Sequence, residues 1–148
     1  MTLHILLDSY PLGALSHPKP DVAISQWVAT CRAARHEIYV PEVIDYEIRR
    51  ELLRANKKVG VANLNALKAV FRFLPISSHV MLLATDLWAT SRQGGLATGD
   101  PKKLDIDVIL AAQALTLGVP ASDLIVATSN VAHLARFVPA DLWSNIKP

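Results

Sequence analysis

The 148-residue chain has one cysteine, Cys31, and no hydrophobic run long enough to cross a membrane. A lone cysteine cannot form an internal disulfide, so the sequence predicts a reduced, cytoplasmic setting. Cys31 lies in a predicted helix, where it is interpreted first as a core residue and second as a reactive thiol. The N-terminus leads directly into a predicted strand without a basic region or cleavage site, so we expect no secretory signal and no membrane partner.

An excess of charge of one sign is also absent. Fifteen Lys and Arg against 13 Asp and Glu give a net charge of +2, which by itself does not indicate a nucleic-acid partner. Hydrophobic residues make up 51% of the chain, a composition that argues against disorder and supports a core. With no internal repeat or linker, we expect a single domain over residues 1–148.

The motifs of several well-known sites are missing. No GxGxxG follows a predicted strand, and no Walker loop occurs. The five histidines show no pairing at metal spacing, and a single cysteine excludes a thiolate zinc site. Ser9 as a nucleophile would need a histidine base, and His4 on the same strand is poorly placed for that role.

One apolar stretch organises the chain. Residues 3–9 read LHILLDS, a run of strand length that ends in Asp8 and Ser9. Buried strands of a parallel sheet carry Leu and Ile without alternation, because both faces are covered. A carboxylate at the end of such a strand costs free energy unless it is compensated. A helix N-terminus, a hydrogen-bond network or a metal ion would each compensate Asp8.

Predicted strands and helices alternate along the rest of the chain. Further strands are predicted over residues 38–40, 71–77 (at a sheet edge, because of Pro75) and 124–128, with a short last strand near Leu142 and Trp143. Helices are predicted over residues 22–34 (capped by Asp21), 42–57 (ended by Gly60), 61–70, 79–92 (capped by Ser77 or Ser78) and 105–117. Loops rich in proline or glycine are predicted over residues 9–20 and 96–104.

This alternation predicts an α/β layer fold with a mainly parallel sheet. Functional residues of such sheets lie beyond the carboxyl ends of the strands. Asp8 follows the first strand, and Thr128 and Asn130 lie at the end of the strand 124–128, so we expect them at one edge. Asn130 also suits a turn, and His133 is interpreted as a surface or core residue rather than a ligand.

Two acids stand at the start of the predicted helix 105–117. Asp105 and Asp107 lie about 200° apart around the helix axis, so they cannot serve the same role. Helix capping is the structural interpretation, and Asp105 is the better placed for it. Asp107 shares its face with Ala111 and Ala114, whose small side chains let a neighbour pack closely, and is therefore favoured as a functional residue.

A further acid, Glu47, lies in the middle of the predicted helix 42–57. Taken alone, it fits a solvated helix face on which Arg50 and Arg54 supply ion pairs of a few tenths of a kcal/mol each. Glu47 becomes a candidate functional residue only in the company of the other acids.

Together these residues form a set of oxygen ligands: Asp8, Glu47, Asp107 and Asp105, with Asn130 as a neutral donor. Clustered carboxylates repel one another and hold protons unless a cation lies between them. Mg²⁺ and Mn²⁺ prefer oxygen ligands, and such ions activate water and offset charge on a phosphoryl group. A divalent metal site is therefore the preferred interpretation.

Four stretches also occur in this order and at this spacing in PIN-domain proteins: LLDS (6–9), DYEIRREL (45–52), DVILAAQAL (107–115) and VATSNVAHLARF (126–137). The chain resembles the ribonuclease type of this family, which includes VapC-like toxins of toxin–antitoxin pairs. Each motif is one acid in an apolar frame, so the specificity comes from the four together. The resemblance covers nearly the whole chain.

The resemblance implies a three-layer α/β/α fold with strand order 3-2-1-4-5. It implies an Mg²⁺- or Mn²⁺-dependent endoribonuclease, an antitoxin partner and a homodimer. The family's three acids correspond to Asp8, Glu47 and Asp107, and Ser9 and Thr128 are supporting residues. Asn130 stands where the family often has Asp, which removes one negative charge that Asp105 could partly replace.

Basic residues would hold the RNA backbone: Arg49, Arg50, Arg54, Lys57 and Lys58, with Lys102 and Lys103 as a second candidate rim. A charged helix face is an equally compatible interpretation for each of them. The chief alternative function is a PIN-fold module that binds RNA or protein with weak or lost nuclease activity. A third reading, an unrelated phosphate-binding domain, is disfavoured by the missing glycine-rich loop.

Overall fold

The computed structural model describes residues 1–95 and 101–148, leaving out the side chains of residues 101 and 102. Five strands form one sheet in the order β3-β2-β1-β4-β5, and every pair of neighbours is parallel. Their bounds are β1 His4–Leu7, β2 Glu37–Pro41, β3 Arg72–Leu74, β4 Leu124–Ala127 and β5 Ala140–Asp141. This sheet confirms the predicted α/β class and the strand order 3-2-1-4-5.

Helices flank the sheet. Their bounds are α1 Ser9–Ser16, α2 Val22–Ala33, α3 Glu42–Arg54, α4 Lys58–Val70, α5 Ser78–Gln93, α6 Pro101–Leu115 and α7 Val131–Leu134. The predicted cap at Asp21 is confirmed, since its carboxylate accepts from the backbone of Ala23 at 2.8 Å, and Ser77 caps α5 through Val80. In the described part of the chain, no helix combines the length and apolar character needed to span a bilayer.

The central strand β1 carries the core. Ile5, Leu6 and Leu7 are all 0% exposed, because neighbouring strands pair with both edges of β1 and helices cover its faces. In the sheet register, Leu6 lies beside Tyr39 of β2 on one side and beside Val126 of β4 on the other. The carboxyl ends of β1 and β4 therefore meet at one edge of the sheet.

A buried glutamine joins α6 to two other elements. Gln113 is 0% exposed. Its side-chain oxygen accepts from the Val43 N–H at the start of α3, at 3.3 Å, and its amide donates to the Leu74 carbonyl at the end of β3, at 2.7 Å. This contact fixes the start of α3 relative to α6, the two helices that carry Glu47 and Asp107.

The predicted loop after Asp8 is wrong, because Ser9–Ser16 forms α1. Asp8 caps this helix by accepting from the Ser9 N–H at 2.7 Å. Pro11 stands in the first turn, where a backbone N–H has no partner within the helix, so its missing donor costs little.

The sequence predicted that Gly60 ends the helix 42–57, and this prediction is wrong. The helix α3 ends at Arg54, and Asn56 takes the left-handed conformation with φ of 54°, which asparagine tolerates better than most residues. Gly60 instead lies within α4, where an added Cβ would come 2.8 Å from Leu52 Cδ2. The glycine permits the close approach of α3 and α4.

The sixth helix begins earlier than predicted. Its first residue is Pro101, a residue that suits the first helical position, so the predicted loop is wrong over 101–104, while its residues 96–100 lie outside the described part of the chain. Asp105 is consequently not the helix cap. Two strands also differ from their predicted bounds. The strand predicted over 71–77 is shorter, β3 at Arg72–Leu74, and the last strand, β5, ends at Asp141, just before Leu142.

Candidate active site

Asp8 is held at the carboxyl end of β1 from several directions. It is 8% exposed. One carboxylate oxygen accepts from the Ser9 N–H at 2.7 Å, and the other accepts from the Thr128 hydroxyl at 2.7 Å. Its own N–H donates to the Ala127 carbonyl at 3.0 Å. Three bonds therefore fix the side chain and the backbone of Asp8.

The residues after β4 continue this network. Thr128 is 1% exposed, and its hydroxyl oxygen accepts from the Asn130 N–H at 2.8 Å. The Asn130 side-chain nitrogen lies 3.1 Å from His133 Nδ1, to which it donates. The structure therefore brings Thr128 and Asn130 to Asp8, as predicted, and adds His133, which the sequence analysis had interpreted as a surface or core residue.

Asp107 enters the same place from α6. It is 4% exposed, and its Oδ2 is fully buried without a hydrogen-bond partner among the described residues. His133 Nδ1 lies 4.0 Å from this oxygen, too far for a hydrogen bond. A buried carboxylate oxygen that lacks a partner costs free energy, and sites of this kind commonly serve a ligand.

Burial raises the pKa of Asp107 from its ordinary value of 3.8 to about 6. This value includes the negative charges of Asp8 and Glu47, which add to the rise, and the positive charges of Lys103 and Arg136, which oppose it. Asp8 and Glu47 therefore both act electrostatically on Asp107. Such a group of carboxylates is stabilised by a proton or by a cation between them.

These residues fit a hard divalent ion. Within residues 1–95 and 101–148, no three His, Cys, Asp or Glu side chains converge closely enough to enclose an ion by themselves. Mg²⁺ does not need such an enclosure, since it is commonly bound through one or two carboxylates and keeps several waters. Asp8 and Asp107 would supply the two carboxylates, and the unpaired Oδ2 of Asp107 is the atom that most needs a cation.

Glu47 lies at the margin of this group. It is half-buried on α3 and lines a groove of about 400 Å³ together with Ser9, Glu51 and Lys57. Its charge acts on Asp107, but more weakly than that of Asp8. This position suits a ligand that acts through water rather than directly.

Asp105 is not brought to the site. It is exposed and lines a groove between α5 and α6 with Thr85 and Trp88. The two-residue spacing from Asp107 turns it to another side of α6. The expectation that Asp105 contributes charge to the metal is therefore not supported by its placement.

The arginines of α3 are engaged in local contacts. Arg49 donates two bonds to Asp45, at 3.1 and 2.9 Å, and Arg54 pairs with Glu51 at 2.9 Å. Arg50 lies over the Tyr46 ring. Arg54 and Lys57 are the basic residues of this set that line the groove beside Glu47.

Two basic residues outside α3 act electrostatically on Asp107. Lys103 stands one turn before Asp107 on α6, and it was predicted only as part of a second rim. Arg136 was not predicted, although it stands in the VATSNVAHLARF motif. The signal was its position, since Asn130, His133 and Arg136 recur at intervals of three.

No protein-family model and no curated protein sequence matches the chain. Solved structures do match. VapBC2 from Rickettsia felis, bound to a DNA fragment from their promoter, has a TM-score of 0.74 at 14% identity, covering 95% of this chain and 99% of that one. VapBC-1 from nontypeable Haemophilus influenzae gives 0.70 at 16%, covering 97% and 100%.

FitAcB from Neisseria gonorrhoeae is also similar, with a TM-score of 0.70 at 19% identity over 96% of this chain and 99% of that one. At these identities the likeness concerns the fold. It agrees with the resemblance of the four motifs to VapC-like proteins, which rests on sequence alone. The chain therefore has the PIN-like fold of these proteins.

Proposed function

We propose that the chain is an endoribonuclease that hydrolyses RNA phosphodiesters with Mg²⁺ or Mn²⁺. The observation that carries the proposal is the pairing of two buried carboxylates, Asp8 and Asp107, at the carboxyl edge of the sheet, where one oxygen of Asp107 has no described hydrogen-bond partner. The PIN-like fold and the motif resemblance support the same function.

Each residue would have a distinct role in holding the ion and its water. Asp8, held by Ser9 and Thr128, presents a rigid carboxylate. Asp107 supplies the second one, and Glu47 and Asn130 orient water around the ion. A divalent ion bound there makes a coordinated water more acidic and offsets the charge that develops on the phosphate.

The proposal is tested by incubating the purified chain with labelled single-stranded RNA in Mg²⁺, Mn²⁺ or chelator. We expect internal cleavage with either ion and none with chelator. DNA of the same base sequence is the control for substrate class. Absence of RNA cleavage with both ions, in protein shown to be folded, would overturn the proposal.

A second function is favoured by one specific feature. Asn130 is neutral where the family often has Asp, and its amide is engaged with His133. A module that binds RNA without cutting it would fit these facts. Tight RNA binding without cleavage in the same assay would favour this alternative.

We also propose a cytoplasmic protein that is neutralised by an antitoxin and forms a homodimer. The likeness to the VapBC2 and FitAcB structures supports the protein partner. Co-expression with the product of the neighbouring gene should suppress the cleavage of RNA, and light scattering should give twice the mass of one chain.

A further inference from the structure

Three polar side chains follow β4 at regular spacing. Asn130, His133 and Arg136 recur every three residues along α7 and the turn after it. Asn130 contacts His133, and His133 Nδ1 lies 4.0 Å from Asp107 Oδ2. This spacing places the segment that carries Arg136 against the acids of the site.

Arg136 is held in place by local contacts. Its Nε–H donates to the His133 carbonyl at 2.9 Å, and its guanidinium lies 5.1 Å from the centre of the Phe137 ring. A guanidinium that is restricted in this way loses less rotamer freedom when it binds an anion, and its planar fork matches the oxygens of a phosphate.

An RNA strand near this site meets an unfavourable charge. Asp8, Glu47 and Asp107 repel a phosphodiester, and a bound divalent ion offsets only part of that repulsion. Arg136 is bonded to the His133 carbonyl, and His133 Nδ1 lies 4.0 Å from Asp107 Oδ2. Lys103 stands one turn before Asp107 on the same helix. These two cations therefore lie close enough to the acids to counter the repulsion.

We propose that Arg136 binds a phosphate of the RNA substrate beside Asp107, with Lys103 of α6 as a second backbone contact. The inference rests on the proposed function and assigns to it a residue that none of the four acid motifs identifies.

The test compares Arg136→Gln and Arg136→Lys with a matched control, Arg32→Gln. Arg32 is an exposed arginine 5.8 Å from the centre of the Phe71 ring. It lies at the end of α2, towards the amino edge of the sheet. The variants are checked for folding by thermal melting, and RNA binding is measured by fluorescence anisotropy in chelator between about 50 and 200 mM salt.

Loss of one phosphate contact should weaken binding by about tenfold and reduce the slope of log K against log salt by about 0.7. Arg136→Gln should show both effects, and Arg136→Lys should keep most of the slope. Arg32→Gln should behave as wild type. With Mn²⁺, we expect kcat/KM to fall by about tenfold in Arg136→Gln, mainly through KM.

Two outcomes contradict the inference separately. In the first, wild type binds and cleaves RNA, but Arg136→Gln shows the same slope of log K against log salt as Arg32→Gln. Arg136 then does not bind phosphate, and the proposed function stands. If wild type neither binds nor cleaves RNA, the proposed function fails and the inference fails with it. If Arg136→Gln does not fold, Lys103→Gln, which changes an exposed side chain, must show the same decrease in the slope of log K against log salt.

Discussion

The two central carboxylates have opposite surroundings. Asp8 accepts hydrogen bonds on both oxygens, whereas Asp107 Oδ2 has no described partner. A hydrogen-bonded carboxylate keeps its charge and its position at little cost. Asp107 is therefore the group whose charge responds to protons and to an added cation.

The stability of the metal-free protein should report on Asp107. Its pKa is raised to about 6 in the folded protein, so between about pH 4 and 6 the folded state holds a proton that the unfolded chain has released. The contribution of Asp107 to the free energy of unfolding therefore falls as pH rises through this window, by about 3 kcal/mol at most.

Urea unfolding at several pH values, with chelator, measures this contribution as the difference between wild type and Asp107→Asn. We expect the variant to gain stability over wild type as pH rises from about 4 to 6. Added Mn²⁺ should stabilise wild type more at pH 7 than at pH 5, since protons compete for the same oxygen. A difference that does not change with pH would contradict the burial of a titrating Asp107.

Thr128 links both halves of the site through one hydroxyl, which donates to Asp8 and accepts from the Asn130 N–H. Thr128→Val should lower the free energy of unfolding by about 1–2 kcal/mol, because the part-buried Asn130 N–H and Asp8 each lose a hydrogen-bond partner. It should also lower cleavage about 10–100-fold, since Asp8 loses one of the two hydrogen bonds that orient its carboxylate. Thr128→Ser keeps the hydroxyl and is expected to stay near wild type; equal losses in both variants would contradict this role.

At the scale of elements, α6 both carries Asp107 and holds other elements in place. Gln113 lies six residues after Asp107 and bonds to the start of α3 and the end of β3. Residues 108–117 read VILAAQALTL, an apolar run in which the sequence predicted no role for Gln113. A polar residue within such a run was the available signal, because a fully buried amide needs partners.

Gln113→Met tests this link. The change keeps the approximate volume but leaves the Val43 N–H and the Leu74 carbonyl without their bonds, so the free energy of unfolding should fall by about 2–4 kcal/mol. Thr116→Val, one residue beyond the end of α6, is the control, since the hydroxyl of Thr116 bonds to the Ala112 and Gln113 carbonyls of that helix. This variant should change stability by less than about 0.5 kcal/mol. Similar values in urea unfolding would rule out the proposed link.

The elements that could be predicted from sequence were those with a strong local signal. The runs before Asp8 and Thr128 are long, apolar and rich in β-branched or leucine residues, and both form central strands. The helix α1 was missed because its proline and glycine resemble loop residues, although a helix N-terminus was one of the three compensations expected for Asp8. The start of α6 was missed for the same reason, at Pro101.

At the scale of the whole molecule, the parallel order explains why distant residues meet. β1 and β4 are neighbours although 120 residues separate Asp8 from Thr128. The edge that Asp8 and Asn130 share was predictable, because parallel strands align their carboxyl ends. Packing decided which side of α6 faces the site, and it left Asp105 outside. The position of Arg136 could not be predicted, because it depends on a turn that local propensity does not specify.

The most direct test of the central claim compares two neighbouring acids in one cleavage assay. Asp107→Asn and Asp105→Asn remove the same charge two residues apart on α6, but only Asp107 is buried beside Asp8. With Mn²⁺ and labelled RNA, Asp107→Asn should lose at least about 100-fold of the cleavage rate, and Asp105→Asn should cleave like wild type. Equal rates for the two variants would contradict a metal site at Asp8 and Asp107.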